Sequence, residues 1–223
     1  MAKIRFDILS LFPESFSYLN QSILKKAQEK KLIEIRIWNI RDFAQDKHKT
    51  TDDYPYGGGP GMVMKIEPIY YALKKIKEAY KTNKRKIILT DIRGKIFNQK
   101  IARELAKEKQ IIIICGHYEG VDERVKKLVD ISLSIGRYVL TGGELPAMVI
   151  VDAVSRHIKG VLKNPLSLEE ERYGILKSTP VYTRPEVFIT DEGEKLTVPK
   201  VLLSGNHKKI EEWRKKHSKK IKI

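Results

Sequence analysis

The sequence predicts an α/β domain on a mostly parallel sheet flanked by helices, followed by a small, mainly helical C-terminal domain. Three observations carry this reading. The chain opens strand, helix, strand, the unit from which parallel sheets are built. Two further apolar runs, Lys86–Thr90 and Ile111–Cys115, each follow a segment of helical spacing. Finally, runs ending near Thr90, Cys115 and Ile135 each lead into a glycine-bearing loop, and in open parallel sheets such loops gather at the carboxyl edge, where ligands bind.

In order, Ile4 to Leu11 reads as a buried strand, and Phe12-Pro13-Glu14-Ser15 starts a basic amphipathic helix reaching about Lys31. Ile33, Ile35 and Ile37 alternate with Glu34, Arg36 and Trp38, which predicts a second strand. Periodicity stops from Arg41 to Gly61, where aromatic residues sit beside a glycine run. A loop this long inside a compact domain is usually functional or disordered, and its mixed charges with aromatic residues beside the glycines favour a substrate-facing segment. Its glycines do not form a Walker loop, because Gly61 is followed by Met-Val-Met rather than Lys-Ser/Thr, and no Gly-x-Gly-x-x-Gly joins a strand to a helix.

Ile66, Ile69, Tyr70, Leu73, Ile76 and Tyr80 follow helical spacing. Lys86–Thr90 is then a strand with Asp91–Gly94 as its exit loop, and a helix from about Asn98 to Lys107 leads to the strand Ile111–Cys115. Ile131, Leu133 and Ile135 alternate with polar residues, and Leu145, Met148, Val149, Val151 or Asp152, and Ile158 mark a helix. Between them, the loop at Gly136, Gly142 and Gly143 lets backbone groups approach a flat ligand without Cβ interference, beside the free N–H groups of the helix start. We place the first domain at residues 1–160, a linker at 161–174 and the second domain at 175–223, where Asn206 caps a last basic helix.

Lys+Arg number 44 against Asp+Glu 28, a net charge of +16. That balance suits a polyanionic partner, since phosphate contacts gain from counterion release; a lysine-rich surface serving thermal adaptation is the competing reading. The single cysteine, Cys115, excludes an internal disulfide and a cysteine-built zinc site. The N-terminus lacks an apolar signal core and no stretch approaches about 20 apolar residues, so a cytoplasmic protein without a membrane span is expected.

Five motifs then occur in series: Tyr56-Gly-Gly-Gly-Pro-Gly-Met-Val-Met64, Cys115-Gly-His-Tyr-Glu-Gly-Val-Asp-Glu-Arg-Val125, Ile135-Gly-Arg-Tyr-Val-Leu-Thr-Gly-Gly-Glu-Leu-Pro146, Tyr182-Thr-Arg-Pro185 and Val201-Leu-Leu-Ser-Gly-Asn-His207. In this order, over nearly the whole chain, they resemble the bacterial tRNA (guanine-N1)-methyltransferase family of TrmD type. The resemblance implies the SPOUT class, with a deep trefoil knot on the C-terminal side of the sheet, and a homodimer. It further implies S-adenosylmethionine as methyl donor, Mg²⁺ dependence, and methylation of N1 of the guanosine 3′ of the anticodon, position 37 of tRNA.

Carried over by position, the donor would lie among Leu89, Thr90, Asp91, Gly116, Tyr118, Glu119, Ile135, Gly136, Tyr138, Val139, Leu140, Gly142, Gly143 and Pro146. Backbone groups of Gly136, Tyr138 and Leu140 would face its adenine, and Glu119 its cationic end. Lys47, His48, Asp52, Tyr56, Ser167, Arg184 and His207 would contact RNA. Arg156 would hold the guanine O6 as negative charge develops there; without the resemblance it reads as a surface arginine on an amphipathic helix.

The proton on N1 needs a base. The family supplies a linker aspartate, but here the segment reads Ser167-Leu-Glu-Glu-Glu171, so Glu171 is the nearest match and Glu170 the second; a solvated acidic linker is the competing reading. His117 stands where the family usually has arginine, Arg137 where an acidic residue is common, and Ile92-Arg93 where Pro-Gln is frequent. No side-chain cluster in the sequence predicts a metal, and none is assigned. The alternatives are a SPOUT enzyme acting at another RNA position and a non-catalytic RNA-binding protein on the same scaffold.

Overall fold

A computed structural model describes residues 2–163 and 177–220. The chain divides into two compact units, residues 1–163 and 164–223. The first holds a five-stranded sheet of β1 (Ile4–Ser10), β2 (Ile33–Asn39), β5 (Arg85–Ile96), β6 (Gln110–Cys115) and β7 (Ile131–Ser134), in the order β2-β1-β6-β5-β7. Every pairing in it is parallel. Two short strands, β3 (Asp52–Asp53) and β4 (Val63–Met64), pair antiparallel and close the glycine-rich loop between them.

Alternation along the strands builds two cores. Phe6, Ile8, Ile111 and Ile113 face one side, under α1 (Ser22–Glu29), α3 (Gln99–Leu105) and α4 (Glu144–Ser155). Leu9, Leu89, Ile112 and Ile114 face the other, under α2 (Ile66–Ala79). Because both faces are covered, the central strands are buried end to end, and Ile111–Cys115 appears in the sequence as an unbroken apolar run.

Two expectations need correction. The single helix expected from Pro13 to Lys31 is a 3₁₀ segment, Pro13–Asn20, followed by α1. The break turns Phe16 and Leu19 into the core, and the Gln28 amide caps the Leu19 carbonyl at 2.9 Å. Secondly, Asp91–Gly94 is not a simple exit loop, since β5 continues to Ile96. Leu133 of β7 is paired with Thr90 before the irregularity and with Lys95 after it, so residues 91–94 arch around β7. A Cβ at Gly94 would lie 2.6 Å from the Leu133 nitrogen and the Ser132 carbonyl carbon, so only glycine allows this crossing without a backbone shift. The crossing agrees with the threaded C-terminal edge that the resemblance implies. The helix marked by Leu145, Met148 and Val149 is present as α4, which buries Ala147, Ile150, Val151 and Val154, while Leu145 and Val149 stay exposed. Those two large apolar residues mark its outer face.

The second unit contains a hairpin of β9 (Val187–Ile189) and β10 (Lys195–Thr197), then α5 (Lys200–Leu203) and α6 (His207–His217). The backbone of β8 (Lys177–Ser178) pairs with β11 (Lys219–Lys220). As expected, Asn206 caps α6, its side-chain oxygen accepting from the Lys209 N–H at 3.1 Å. Trp213 packs edge-on against Tyr182 and stacks on His217.

Candidate active site

The carboxyl ends of β5, β6 and β7 open into one cavity of about 390 Å³, within the size range of small-molecule sites. Every residue assigned to the donor from the sequence lines it, from Leu89–Asp91 through Gly116, Tyr118 and Glu119 to Ile135, Gly136, Tyr138–Leu140, Gly142, Gly143 and Pro146. Ile92, Arg93, His117, Gly120, Val121, Leu133, Ser134 and Thr141 also contribute. His117 and Thr141 sit inside the quoted motifs, where their neighbours could have signalled them, whereas Ser134 and Leu133 looked like ordinary strand residues. Arg137 is absent from the lining.

Backbone contacts fasten the glycine loop to the end of β6. The Gly143 N–H donates to the Gly116 carbonyl at 2.7 Å, and His117 and Gly142 form an isolated antiparallel bridge. Thr90 Oγ1 donates to the Ile114 carbonyl at 3.1 Å and accepts from the Gly116 N–H at 3.3 Å. Ser134 Oγ donates to the Gly136 carbonyl at 2.7 Å. At the start of α4, the buried Glu144 carboxylate accepts from Ser10 Oγ at 2.6 Å, tying this helix end to β1. Cys115 is buried beneath this junction; burial, and then the Glu144 charge, push its thiol well above the usual range, so it stays protonated and inert.

Gly143 has no room for a side chain. A Cβ there would lie 2.0 Å from Thr90 Oγ1, 2.7 Å from the Gly116 nitrogen and 2.8 Å from the Cys115 Cα. Two of those neighbours are backbone and cannot step aside cheaply. Gly143→Ala is therefore expected to part the loop from β6 and to weaken binding of S-adenosylmethionine, the donor that the resemblance implies, at least tenfold, an effect of about 1.4 kcal/mol, measurable by calorimetry.

The rim carries paired charges. Arg93 and Lys126 approach the Asp91 carboxylate at 3.4 and 3.5 Å, and both also reach Glu123. Burial by itself would raise the Asp91 carboxyl, but the Arg93 N–H, the Arg93 guanidinium and Lys126 together hold it below its ordinary value of 3.8. A depressed folded-state value stabilises the fold above the unfolded value and is lost as pH falls through the lower one. Thermal unfolding measured downward from pH 6 should thus lose stability below about pH 4. Asp91→Asn should flatten that slope, and an unchanged slope would show that Asp91 contributes nothing.

Other sequence-assigned residues lie elsewhere. Lys47 and His48 are exposed in a turn whose Asp46 side chain accepts from the His48 and Thr50 N–H groups. Asp52 is in β3, and Tyr56 is fully exposed beside a separate hollow that also includes Asp53, Glu67 and Arg124. Arg156 directly follows α4. In the second unit, Arg184 lines a groove with Tyr182, Leu202 and Arg214, and His207 begins α6. Ser167, Glu170 and Glu171 lie outside the described residues. Among the described residues, no group of three His, Cys, Asp or Glu side chains is placed to hold a metal. No described helix is long and apolar enough to cross a membrane.

The fold matches the crystal structure of tRNA (m1G37) methyltransferase from Aquifex aeolicus with a TM-score of 0.78, at 43% identity, covering 96% of this chain and 88% of that one. A parallel sheet with an arched, crossed edge and a backbone-lined pocket at that edge thus places the protein in the SPOUT class of α/β proteins. Among curated relatives, tRNA (guanine-N(1)-)-methyltransferase from Dictyoglomus turgidum is 54% identical over 218 residues, 96% of this chain and 85% of that one. The enzyme of the same name from Clostridioides difficile is 51% identical over 98% of this chain and 94% of its own length. The family model described as tRNA (Guanine-1)-methyltransferase TrmD matches residues 4–222, and the chain belongs to that family.

Proposed function

We propose that this protein transfers a methyl group from S-adenosylmethionine to N1 of guanosine 37 of tRNA, as a cytoplasmic homodimer. The observation that carries the reading is the meeting of two of the quoted motifs, Cys115–Val125 and Ile135–Pro146, with the Leu89–Asp91 segment in one pocket at the carboxyl edge of β5, β6 and β7. The glycine loop suits a flat adenine, and the Glu119 carboxylate on the same wall suits an ammonium and a sulfonium. When bound, the donor supplies an electrophilic methyl group. The chain's own part is to exclude water, orient the two reactants and manage the N1 proton. Arg156 pairs with guanine O6, which becomes more negative as N1 loses its proton, and Glu171 accepts that proton. No residue here is assigned to Mg²⁺.

The length of α4 supports the dimer. Pro146, which lines the pocket, and Arg156 are ten positions apart along the helix, or roughly 15 Å at 1.5 Å per residue. Arg156 therefore does not serve the pocket of its own protomer; an antiparallel neighbour would deliver Arg156 of the partner subunit instead. The exposed Leu145 and Val149 on α4, with Val139 and Leu140 beside the loop, supply an apolar face for that neighbour. Val149→Glu should yield a monomer by sedimentation that binds donor but transfers no methyl group.

The direct test is methyl incorporation from labelled S-adenosylmethionine into an unmodified transcript carrying guanosine 3′ of the anticodon. The same transcript with adenosine there should accept none. Equal incorporation into both would assign the enzyme to another RNA position; none into either, with donor binding intact, would leave an RNA-binding protein.

A further inference from the structure

We infer that Gly61, the last glycine of the Tyr56–Met64 motif, is a positioning residue for the methyl-donor site: its missing side chain leaves the space in which the Glu119 carboxylate stands. The inference rests on the donor reading of the pocket. Gly61 itself does not line that pocket, and neither the phosphate-loop pattern nor the pocket lining accounts for the glycine run.

The backbone beside it is fixed. The Glu119 N–H donates to the Met62 carbonyl at 3.1 Å, the Met64 N–H to the Gly120 carbonyl at 3.0 Å, and the Asp122 N–H to the Met64 carbonyl at 2.9 Å. Met64 and Val121 also form a parallel bridge. Residues 62–64 are therefore laced to 119–122, and Gly61 is carried against the Glu119 side chain. A Cβ on Gly61 would lie 2.5 Å from Glu119 Cγ, 2.7 Å from Oε1 and 3.0 Å from Cδ. Glu119 is exposed on this wall, so its flexible carboxylate, rather than the laced backbone, is what would give way. Moving that carboxylate removes the negative charge from where the cationic arm of the donor needs it, and leaves the adenine side untouched.

The loop contains its own control. Gly61 has φ +75° and Gly58 has φ +78°, so alanine meets the same backbone penalty at both, but a Cβ at Gly58 has nothing within 4 Å. Subtracting one variant from the other isolates the contact with Glu119.

The experiment is calorimetric titration of the full-length protein with S-adenosylmethionine and with 5′-methylthioadenosine, which keeps the adenosine and a thioether but lacks the charged amino-acid arm. Gly61→Ala is expected to weaken S-adenosylmethionine about tenfold, the scale of one charge-assisted contact, and to change methylthioadenosine less than about twofold. Gly58→Ala should leave both unchanged. Glu119→Gln should reproduce the Gly61→Ala loss, and the double variant should add nothing to it. Equal weakening of both ligands by Gly61→Ala, a matching loss in Gly58→Ala, or additive losses in the double variant would each overturn the proposal. Wild-type protein that binds neither ligand would overturn the donor reading and this inference with it; wild-type binding that Glu119→Gln leaves intact would overturn the inference alone.

Discussion

Glu171→Gln is expected to lower the rate of methyl transfer by about 100-fold or more while leaving donor binding unchanged, because removing a general base typically costs 10² to 10⁴ in rate. N1 of guanine carries a proton at neutral pH, and glutamine can hold the same place without accepting it. Glu171→Asp, which restores the residue type of the wider family, should remain active, and the shift of about 1 Å in carboxylate position decides whether it is faster or slower than wild type. Glu170→Gln should have little effect. Single-turnover rates on the guanosine-37 transcript separate these outcomes from slow product release. A wild-type rate in Glu171→Gln paired with a collapse in Glu170→Gln would move the base by one residue, and wild-type rates in both would remove the linker carboxylates from the reaction.

The second large effect is on stability. Asp7 and Arg5 are side by side on the face of β1 beneath α2, buried, with the Arg5 guanidinium 2.7 Å from Asp7 Oδ1. The same carboxylate accepts from Trp38 Nε1 at 2.8 Å and from Gln110 Nε2 at 2.6 Å, so one aspartate joins β1, β2 and β6. Asp7→Ala would leave a buried guanidinium without its counter-charge, and breaking such a pair costs about 3–5 kcal/mol. At roughly 2–4 °C per kcal/mol for a chain of this size, the midpoint of thermal unfolding should fall by about 10 °C. Replacing both partners by leucine should recover only part of the loss, because it removes the unpaired guanidinium but leaves Trp38 Nε1 and Gln110 Nε2 without the acceptor that Asp7 supplies. A fall of under 2 °C in Asp7→Ala would show that the cluster is not stabilising.

The sheet was legible because alternation and apolar runs are local: Ile33, Ile35 and Ile37 announce β2, and Ile111–Cys115 announces a strand covered on both faces. Pairings across distance were not. Nothing near Asp7 points to Gln110, and nothing near Gly94 shows that the chain forty residues later will pass against it. The buried face of α4 was not legible because its apolar residues encircle the helix: Leu145 and Val149 are as hydrophobic as Ile150 and Val154, and periodicity cannot choose between them. The pocket proposed for the donor was legible through its motifs, which fall at the exits of β6 and β7. The proposed base was not, because Ser167-Leu-Glu-Glu-Glu171 departs from the family pattern and lies outside the described residues.

The arch of residues 91–94 also sets an order of events during synthesis. β7 sits between pairing partners on both arms of the arch, yet the ribosome delivers Thr90 and Lys95 well before Leu133. A chain that closed residues 91–94 before Leu133 arrived would shut out its own edge strand, so both arms of the arch can be paired only once β7 has been made. The pocket cannot be complete in any chain stopped short of α4, and such fragments would be inactive although β1, β2, β5 and β6 are all present. The proposed donor, held in a pocket whose walls come from both sides of the crossing, would then favour only the finished arrangement and act as a latch on it.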